Sequence, residues 1–261
     1  FNKNWANLFG PSRANGDKLE QWHIDLATSA QRFTENVIFH MLNFLQQKTG
    51  CENICITGGV AQNSVVNGKI LKNTLFQGIY IPSAGHDAGT SIGSALYLYN
   101  QVLGNKRMSE ITSSYFGSKF NQQEIINSLD KKSVKYKIVE DEDLFEIVSE
   151  TLISGGVVGW FQGRSEFGPR ALGHRSILVD PRREDAKNLL NNKIKMRESF
   201  RPFAPSILKE AISEYFVAPY DSSPFMEKVL DIKNSKYKEI PAVTHIDGTG
   251  RVQSVDKKIS P

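Results

Sequence analysis

Short β-branched runs that lead into glycine turns and then into helical repeats are the strongest constraint on the fold of this chain. Residues 53–57 form such a run, which leads into two glycines and a helical pattern over 65–75. Residues 78–81 form a second run, which precedes a helix of small residues over 88–103. Alternation of strands and helices joined by glycine turns is typical of α/β proteins. The sequence therefore predicts an α/β fold.

The segment before the first predicted strand is strongly helical. Hydrophobic residues recur at three- and four-residue steps over 18–48, with Asp17 as the expected N-cap and Gly50 at the end of the helix. The two cysteines of the chain, Cys51 and Cys55, follow directly. This usage suits a reducing compartment better than a disulfide framework, and we expect both to be inert core thiols.

A polar stretch over 105–121 has little periodicity and is predicted to be a linker. It separates a first part, 1–117, from a second part, 118–261. In the second part we predict strands at 134–139, 157–161, 176–179, 226–232 and 251–255, and helices at 184–193 and at 141–153, the latter capped by Asp141.

Composition narrows the class of protein. The 261 residues are 39% hydrophobic and 23% charged, as in globular proteins. No run approaches the ~18 apolar residues of a membrane span. The net charge of +4 is too small to indicate a nucleic-acid-binding protein by itself. No signal peptide is visible, so a cytoplasmic location is expected, and both ends are expected to be cuts through a larger protein.

Two glycine-rich segments follow the first two predicted strands. Residues 58–63 (GGVAQN) follow the first strand, and residues 82–89 (PSAGHDAG) follow the second. Glycines let a backbone approach a ligand closely, and helix N-termini attract phosphate, but the spacing also fits plain strand-to-helix turns. Asp87 fits either an N-cap or, beside His86, a ligand of a metal or substrate.

The strongest motif is rich in arginine, glycine and proline. Residues 163–176 (GRSEFGPRALGHRS) place three arginines among three glycines and one proline. Residues 195–205 (KMRESFRPFAP) follow, and ten basic residues stand against five acidic ones over 163–201. Arginine binds phosphate and carboxylate bidentately, and lysine adds a point charge. Since the glycines and prolines hold the chain rigid, the pattern favours a phosphate or acyl-phosphate site over a solvated surface or an RNA contact.

A fourth segment, 244–253 (THIDGTGRVQ), combines a turn at Asp247 and Gly248 with two candidate site residues, His245 and Arg251. A hairpin turn with one exposed arginine explains it equally well. His245 is a candidate acid or base, although a lone histidine is more often structural.

Together these segments resemble the NodU-type O-carbamoyltransferases. In that family TGGVAxN, PxxxHDxGxxxGxA, GRxExGPRALGxRSIL, KxRExFRPFAP and THxDGTxRxQ occur in this order. Here they stand at 57–63, 82–95, 163–178, 195–205 and 244–253. The resemblance implies the C-terminal half of an actin/sugar-kinase-like (Kae-type) ATPase-fold domain over 1–117. An α+β YrdC-like domain is implied over 118–261.

The resemblance also implies an ATP-dependent carbamoyltransferase. In the family, the YrdC-like domain converts carbamoyl phosphate and ATP into carbamoyl-adenylate. The first domain then transfers the carbamoyl group to the hydroxyl of a small molecule or saccharide. The implied cofactors are ATP and divalent metal ions, an iron-type ion in the first domain and Mg with the ATP. A homodimer is compatible with the sequence, whereas neither a membrane nor a nucleic acid is an expected partner.

Site residues follow from the matching positions. Carbamoyl phosphate is expected to contact Arg170, Lys195, Arg201 and Arg251, with His245 as a further candidate at the same site. Second-rank candidates for contact with carbamoyl phosphate or ATP are Arg164, Arg175, Ser176 and Arg197. The residues expected to face the adenylate are Gly58, Gly59, Val60, Asn63 and His86, and Asp87 is the implied metal ligand.

The chain departs from the family in one respect. The family's first domain begins with an HxxxH pair that supplies the other metal ligands, and this sequence has none. An incomplete metal site, and no carbamoyl transfer by this chain alone, are therefore expected. Two other functions remain open: threonylcarbamoyl-adenylate synthesis, and an RNA-binding module. The motif at 163–178 followed by that at 195–205 favours carbamoyl phosphate over the first. Scarce aromatic residues over 163–185 disfavour the second.

Overall fold

The computed structural model describes residues 3–14, 16–217 and 219–260. They form a mixed α/β protein, as predicted. The helices and strands of the first part are α1 Lys3–Phe9, α2 Gln21–Thr49, β1 Asn53–Cys55, α3 Ser64–Asn73, β2 Gly78–Tyr80 and α4 Thr90–Tyr97. Those of the second part are α5 Gln122–Lys131, α6 Asp141–Ile153, β3 Val158–Phe161, β4 Arg175–Leu178, α7 Ala186–Leu189, β5 Ser206–Leu208, α8 Ile212–Tyr215, β6 Phe216–Val217, β7 Lys228–Ile232 and β8 Thr249–Val255.

The strands form three small sheets. β1 and β2 pair in parallel, and β3 and β4 pair antiparallel. The third sheet has the order β5-β8-β7-β6, in which β8 is parallel to β5 and antiparallel to β7. Because β8 lies between two strands, its side chains are held by neighbours on both sides.

The long helix α2 confirms the periodicity prediction but begins later than expected. Its N-cap is Glu20, which forms a reciprocal capping box with His23. Asp17, the expected cap, instead accepts a hydrogen bond from the Ala14 amide at 3.0 Å. Gly50 ends the helix in the left-handed conformation, at φ 67°, as predicted.

Three further expectations about local structure are wrong. Residues 134–139 form no strand, since their apolar side chains, Val134, Tyr136 and Ile138, are exposed and have no layer to pack against. Helix α6 is capped by Glu140 and not by Asp141, which is its first helical residue. Cys51 and Cys55 are exposed free thiols and not core residues. In β1 only Ile54 faces the core, so Cys55 points away from it.

The first and second parts are packed together. Helix α3 lies against β7 so closely that a Cβ atom at Gly68 would overlap the carbonyl oxygen of Val229. The buried Asn67 amide donates to the carbonyls of Ala61, at 2.8 Å, and Glu227, at 2.9 Å. The Tyr220 hydroxyl returns a hydrogen bond to the Asn67 carbonyl at 3.0 Å. A buried amide satisfied by both parts fixes their relative position.

The predicted linker contains no helix or strand in the described structure, but it is not free. The Phe167 amide donates to the Ser114 carbonyl at 2.7 Å, and the Gly117 amide donates to the Ser165 carbonyl at 2.9 Å. The Ser165 amide donates to the Ser118 carbonyl at 3.0 Å. The segment 114–118 therefore supports the arginine-rich loop that joins β3 and β4.

Within the described residues, no helix has both the length and the apolar character needed to cross a membrane.

Candidate anion-binding site

The arginine-rich loop, residues 163–173, closes around one carboxylate. Oε1 of Glu166 accepts hydrogen bonds from the backbone amides of Leu172, His174 and Arg175, at 2.7, 2.9 and 3.2 Å. Burial raises the pKa of Glu166, but these backbone hydrogen bonds outweigh it and hold the pKa below its ordinary value. The ionised carboxylate thus holds the C-terminal end of the loop in place, directly after Arg170.

His174 packs beneath the same loop. Its ring stacks on Tyr115 with centroids 3.5 Å apart, and the Tyr115 hydroxyl donates to the Leu172 carbonyl at 2.9 Å. Nδ1 of His174 lies 2.7 Å from the Arg164 carbonyl oxygen, which can only accept, so Nδ1 carries the proton. Nε2 then accepts from the Ser260 hydroxyl at 3.2 Å. With both ring nitrogens used, His174 is a structural support of the loop.

Arg170 and Arg197 lie near enough to Arg251 for their charges to lower its pKa, and we call Arg170, Arg197 and Arg251 the cation cluster. Burial lowers the pKa of Arg251 to about 10, and repulsion by Arg170 and Arg197 adds to the shift. Nε of Arg251 is buried without a partner. Among the described residues, the guanidinium groups of Arg170 and Arg251 have neither an acidic partner nor a hydrogen-bond acceptor, and both residues are half-buried. Desolvated cations without counter-ions are costly unless a ligand supplies the negative charge.

Arg197 reaches the cluster from the segment that follows α7. Its Nε donates to Oδ1 of Asn191 at 2.7 Å, and one terminal nitrogen donates to the Pro202 carbonyl at 3.3 Å. The guanidinium also lies over the ring of Phe203, 4.7 Å from its centroid. Burial and the nearby Arg201 lower the pKa of Arg197. This arginine is therefore fixed by three different contacts.

Asn191 is a residue of this site that sequence reasoning misses. Its side chain is fully buried, and Nδ2 donates to the carbonyls of Ser199, at 3.2 Å, and Arg201, at 2.9 Å. All its polar side-chain atoms therefore bond to the segment 197–201. In the sequence it stands in the polar run Asn191-Asn192-Lys193, which resembles a helix surface. Only its position just before the basic motif could have marked it.

We expect Asn191→Asp to weaken phosphate binding about tenfold. The carboxylate can still accept from Arg197 but cannot donate to the two carbonyls, so the segment 197–201 loses its support. Isothermal calorimetry with inorganic phosphate measures the change. Asn192→Asp, an exposed neighbour, is the matched control. Equal phosphate affinities for the two variants would contradict the positioning role of Asn191.

The other predicted cations of this region lie outside the cluster or are already engaged. Lys195 is exposed, and its side chain has no hydrogen bond or ion pair with any described residue. Arg201 pairs with Glu198 at 2.8 Å on the surface. One Arg164 nitrogen donates to the Gly117 carbonyl at 3.1 Å. These residues remain candidates for ligand contact, but none of them is a buried cation without a partner.

Arg175 and Ser176 act within the loop. Arg175 donates to the carbonyls of Gln162 at 2.6 Å and of Gly163 at 3.2 Å, and its guanidinium lies 3.5 Å from the centroid of the Phe161 ring. The Ser176 hydroxyl accepts from the Gly173 amide at 2.9 Å. Their predicted contact with a ligand stays a prediction, since these polar groups already have partners inside the protein.

His245 lies near the cation cluster, on the turn before β8. Its Nδ1 is 2.9 Å from the Thr249 hydroxyl, and its Nε2 is buried without a partner. Burial lowers the pKa of His245, Asp247 raises it, and Arg251 and Lys187 lower it, for a net decrease. The ring is therefore neutral at neutral pH. Lys187, on α7, is a nearby cation that the motifs do not single out.

The two glycine-rich segments of the first part also meet. The Gly58 amide donates to the Gly85 carbonyl at 2.5 Å, at the carboxyl ends of β1 and β2. Gly58 has φ 92°, a conformation that favours glycine. Gly59 has open space where a Cβ would stand, and Val60 is exposed. Asn63 caps α3, with Oδ1 accepting from the Val66 amide at 3.2 Å, so part of its side chain is already used.

One contact joins these segments to the arginine-rich loop. The Ser83 hydroxyl donates to the Phe167 carbonyl at 3.0 Å. Gly168 has φ 141°, and a Cβ atom there would lie 2.5 Å from the Ser83 carbonyl oxygen. Only glycine fits this approach, so the arginine-rich loop lies directly against the segment 82–89 of the first part.

The predicted metal ligand has no companions in the described structure. His86 caps the short turn Asp87–Gly89, with Nδ1 accepting from the Ala88 amide at 3.2 Å, in place of the cap expected at Asp87. Asp87 is exposed, and its carboxylate has no partner among the described residues. Over the described ranges no three His, Cys, Asp or Glu side chains group so as to hold a metal ion. The described residues by themselves therefore do not fit a metal site.

A cavity of about 460 Å³ lies elsewhere between the two parts. Its lining includes Tyr80, Tyr115 and the buried ion pair of Lys228 with Glu227. No predicted site residue lines it. Its lining holds two ion pairs, Lys228 with Glu227 and Lys209 with Asp256. Because the guanidinium groups of Arg170 and Arg251 have no acidic partner among the described residues, the cation cluster is the stronger candidate for a functional site.

Two family models, both of carbamoyltransferases, match this chain. The family model described as "Carbamoyltransferase N-terminus" matches residues 1–96, and that described as "Carbamoyltransferase C-terminus" matches residues 149–261. An uncharacterized protein of Synechocystis sp. is 42% identical over 287 aligned positions, covering 100% of this chain and 46% of the relative.

Two further relatives carry descriptive names. Nodulation protein NolO of Bradyrhizobium diazoefficiens is 39% identical over 252 residues, covering 95% of this chain and 46% of NolO. Nodulation protein U of Sinorhizobium fredii is 30% identical over 236 residues, covering 89% of this chain and 40% of that protein. The chain thus spans less than half the length of these relatives. The models of the N-terminal and C-terminal parts of carbamoyltransferases match it in that order, and the chain belongs to the carbamoyltransferase family.

Proposed function

We propose that this chain binds carbamoyl phosphate at the cation cluster and uses ATP to form carbamoyl-adenylate. The observation that carries the proposal is the half-buried Arg251, whose Nε is buried without a partner and whose guanidinium has no counter-ion among the described residues. Two further arginines, Arg170 and Arg197, lie near enough for their charges to lower its pKa. A phosphate dianion would neutralise most of this charge. The same arginines would stabilise the charge that develops on phosphate as it leaves the carbamoyl group.

The proposed reaction balances with one water. Carbamoyl phosphate, ATP and water give carbamoyl-adenylate, phosphate and pyrophosphate, with Mg expected to accompany the ATP. In a full-length protein the carbamoyl group would then pass to the hydroxyl of a small molecule or saccharide, in the first domain. The closeness of Ser83 to Phe167 and Gly168 supports transfer between the two parts, since it brings their loops together.

The finer fold assignment belongs to the same proposal. We infer that 1–117 is part of an actin/sugar-kinase-like domain and that 118–261 is YrdC-like. The parallel pair β1 and β2, flanked by α2, α3 and α4, supports the first assignment. The half-buried position of Arg251, with its Nε fully buried, disfavours the RNA-binding alternative, because contacts to an RNA backbone use exposed cations.

The first test is ligand binding. Calorimetry is expected to detect binding of carbamoyl phosphate and of inorganic phosphate, each weakened tenfold to a hundredfold in Arg170→Ala, since a charge-assisted bond is lost. Arg32→Ala, which removes an exposed arginine of α2, is the control and should bind as wild type. Absence of binding to the wild-type chain would refute the anion site.

The second test is chemistry. Pyrophosphate release from ATP is expected only in the presence of carbamoyl phosphate and is expected to be lost in Arg170→Ala. If carbamoyl phosphate binds but no pyrophosphate appears, adenylation by this chain is refuted while the anion site stands. Release that requires bicarbonate and threonine instead would favour the threonylcarbamoyl-adenylate alternative.

A further inference from the structure

The turn before β8 carries a chain of hydrogen bonds that ends in an unused acceptor. The Asp247 carboxylate accepts from the Thr249 hydroxyl at 2.7 Å and from the Thr249 amide at 3.1 Å. Burial raises the pKa of Asp247, but these hydrogen bonds and His245 outweigh it, so the pKa is lowered and the carboxylate is ionised. An ionised carboxylate can only accept, so the single hydroxyl proton of Thr249 points to Asp247.

This direction fixes the tautomer of His245. The Thr249 hydroxyl donates its only proton to Asp247. In its contact with Nδ1 of His245, at 2.9 Å, the hydroxyl oxygen must therefore accept and Nδ1 must donate. Nε2 of the neutral ring is then a bare acceptor, and it is buried without a partner. Buried acceptors are rarely left unpaired, so a donor is expected from outside the described chain.

The charges around His245 favour a neutral N–H group, and not a proton, as the donor to Nε2. The charged groups that act on His245 are Arg251, Lys187 and Asp247. The two cations oppose protonation of the ring, which argues against His245 as a base that must carry a full positive charge. Hydrogen bonding from a neutral amide needs no such charge. In carbamoyl phosphate the phosphate end matches the cation cluster, and the amide end offers N–H donors.

We propose that Nε2 of His245 accepts a hydrogen bond from the carbamoyl amide and so selects carbamoyl phosphate over acyl phosphates of the same shape. Thr249 is a positioning residue, which holds the tautomer for His245 and is itself oriented by Asp247. The proposal rests on the proposed function, because it takes the cation cluster as the phosphate site. Acetyl phosphate is the discriminating ligand, since a methyl group replaces the amide and leaves Nε2 unpaired.

The test compares the affinities of carbamoyl phosphate and acetyl phosphate by calorimetry. Wild type is expected to prefer carbamoyl phosphate by about tenfold, the worth of one hydrogen bond to a buried acceptor. His245→Phe keeps a ring but removes the acceptor, and the preference should vanish. Thr249→Val should lower it, and Thr249→Ser should restore it. Thr244→Val is the matched control, since the Thr244 hydroxyl donates to the Ile240 carbonyl and not to His245.

An independent readout concerns the ring itself. Nitrogen-15 NMR is expected to show His245 with a protonated Nδ1 and an unprotonated Nε2 in wild type, and a mixture of tautomers in Thr249→Val. A preference that persists in His245→Phe, or a ring protonated at Nε2, would overturn the inference. If neither phosphate nor carbamoyl phosphate binds to wild type, the proposed function fails instead. Phosphate binding without any preference for the carbamoyl group refutes only the role of His245.

Discussion

Arg251→Met is expected to abolish phosphate and carbamoyl phosphate binding and, at the same time, to stabilise the fold. Arg251 is half-buried, its pKa is lowered to about 10, and its buried Nε has no partner. Removing a desolvated cation that repels Arg170 and Arg197 relieves an unfavourable interaction, and methionine fills similar space. We expect affinity to fall by at least about a hundredfold and the free energy of unfolding to rise by about 1–2 kcal/mol.

This opposite pair of effects distinguishes a ligand site from a structural arginine. A structural arginine would lose stability when replaced, because its hydrogen-bond acceptors would be left unpaired. Urea denaturation and calorimetry on the same preparations measure both quantities. Arg32→Met, on the exposed face of α2, is the control and should change neither. A variant that is less stable than wild type, or that still binds phosphate, would show that Arg251 does not serve an anion.

Periodicity predicts much of the secondary structure because the elements it finds bury one face. Helix α3 illustrates this, since Val66 and Ile70 repeat at a helical interval and both are buried. The segment 134–139 has an alternating pattern but no packing partner, so the pattern misleads there. Helix α5 is missed although Asn121 and Glu124 form a capping box that sequence alone can suggest.

The candidate site, too, could be predicted from the sequence only in part. Residue types and spacing predict an anion site that includes Arg170 and Arg197, since clustered arginines among glycines and prolines favour phosphate, whereas Arg251 is expected there only from the family resemblance. They do not show which cations lack partners. Arg175 and Arg251 look alike in sequence, yet the former is bonded to backbone carbonyls and the latter has an unpartnered buried Nε. Asn191 acts through contacts with its own following segment, which only the folded chain displays.

Glu166→Gln is expected to loosen the loop that carries Arg170. The wild-type carboxylate accepts three backbone N–H groups through one oxygen, and charge makes each bond stronger. A neutral amide oxygen accepts more weakly, and the adjacent amide nitrogen can only donate. We expect the free energy of unfolding to fall by about 1–3 kcal/mol and phosphate affinity to fall by about tenfold. Glu150→Gln, at an exposed position of α6, is the control.

The lowered pKa of Glu166 determines how the stability of wild type depends on pH. Because the folded state holds the pKa of Glu166 below its ordinary value of 4.5, the unfolded state binds the proton more readily. The contribution of the carboxylate is therefore complete above pH 4.5 and is lost as the pH falls through the folded pKa. Wild type should lose stability more steeply than Glu166→Gln in this acid range, and the two free energies of unfolding should converge.

Hydrogen exchange at the amides of Leu172, His174 and Arg175 should be faster in the variant at neutral pH. Parallel acid-denaturation curves with unchanged exchange would mean that the three amides are held by the rest of the loop and not by the charge on Glu166.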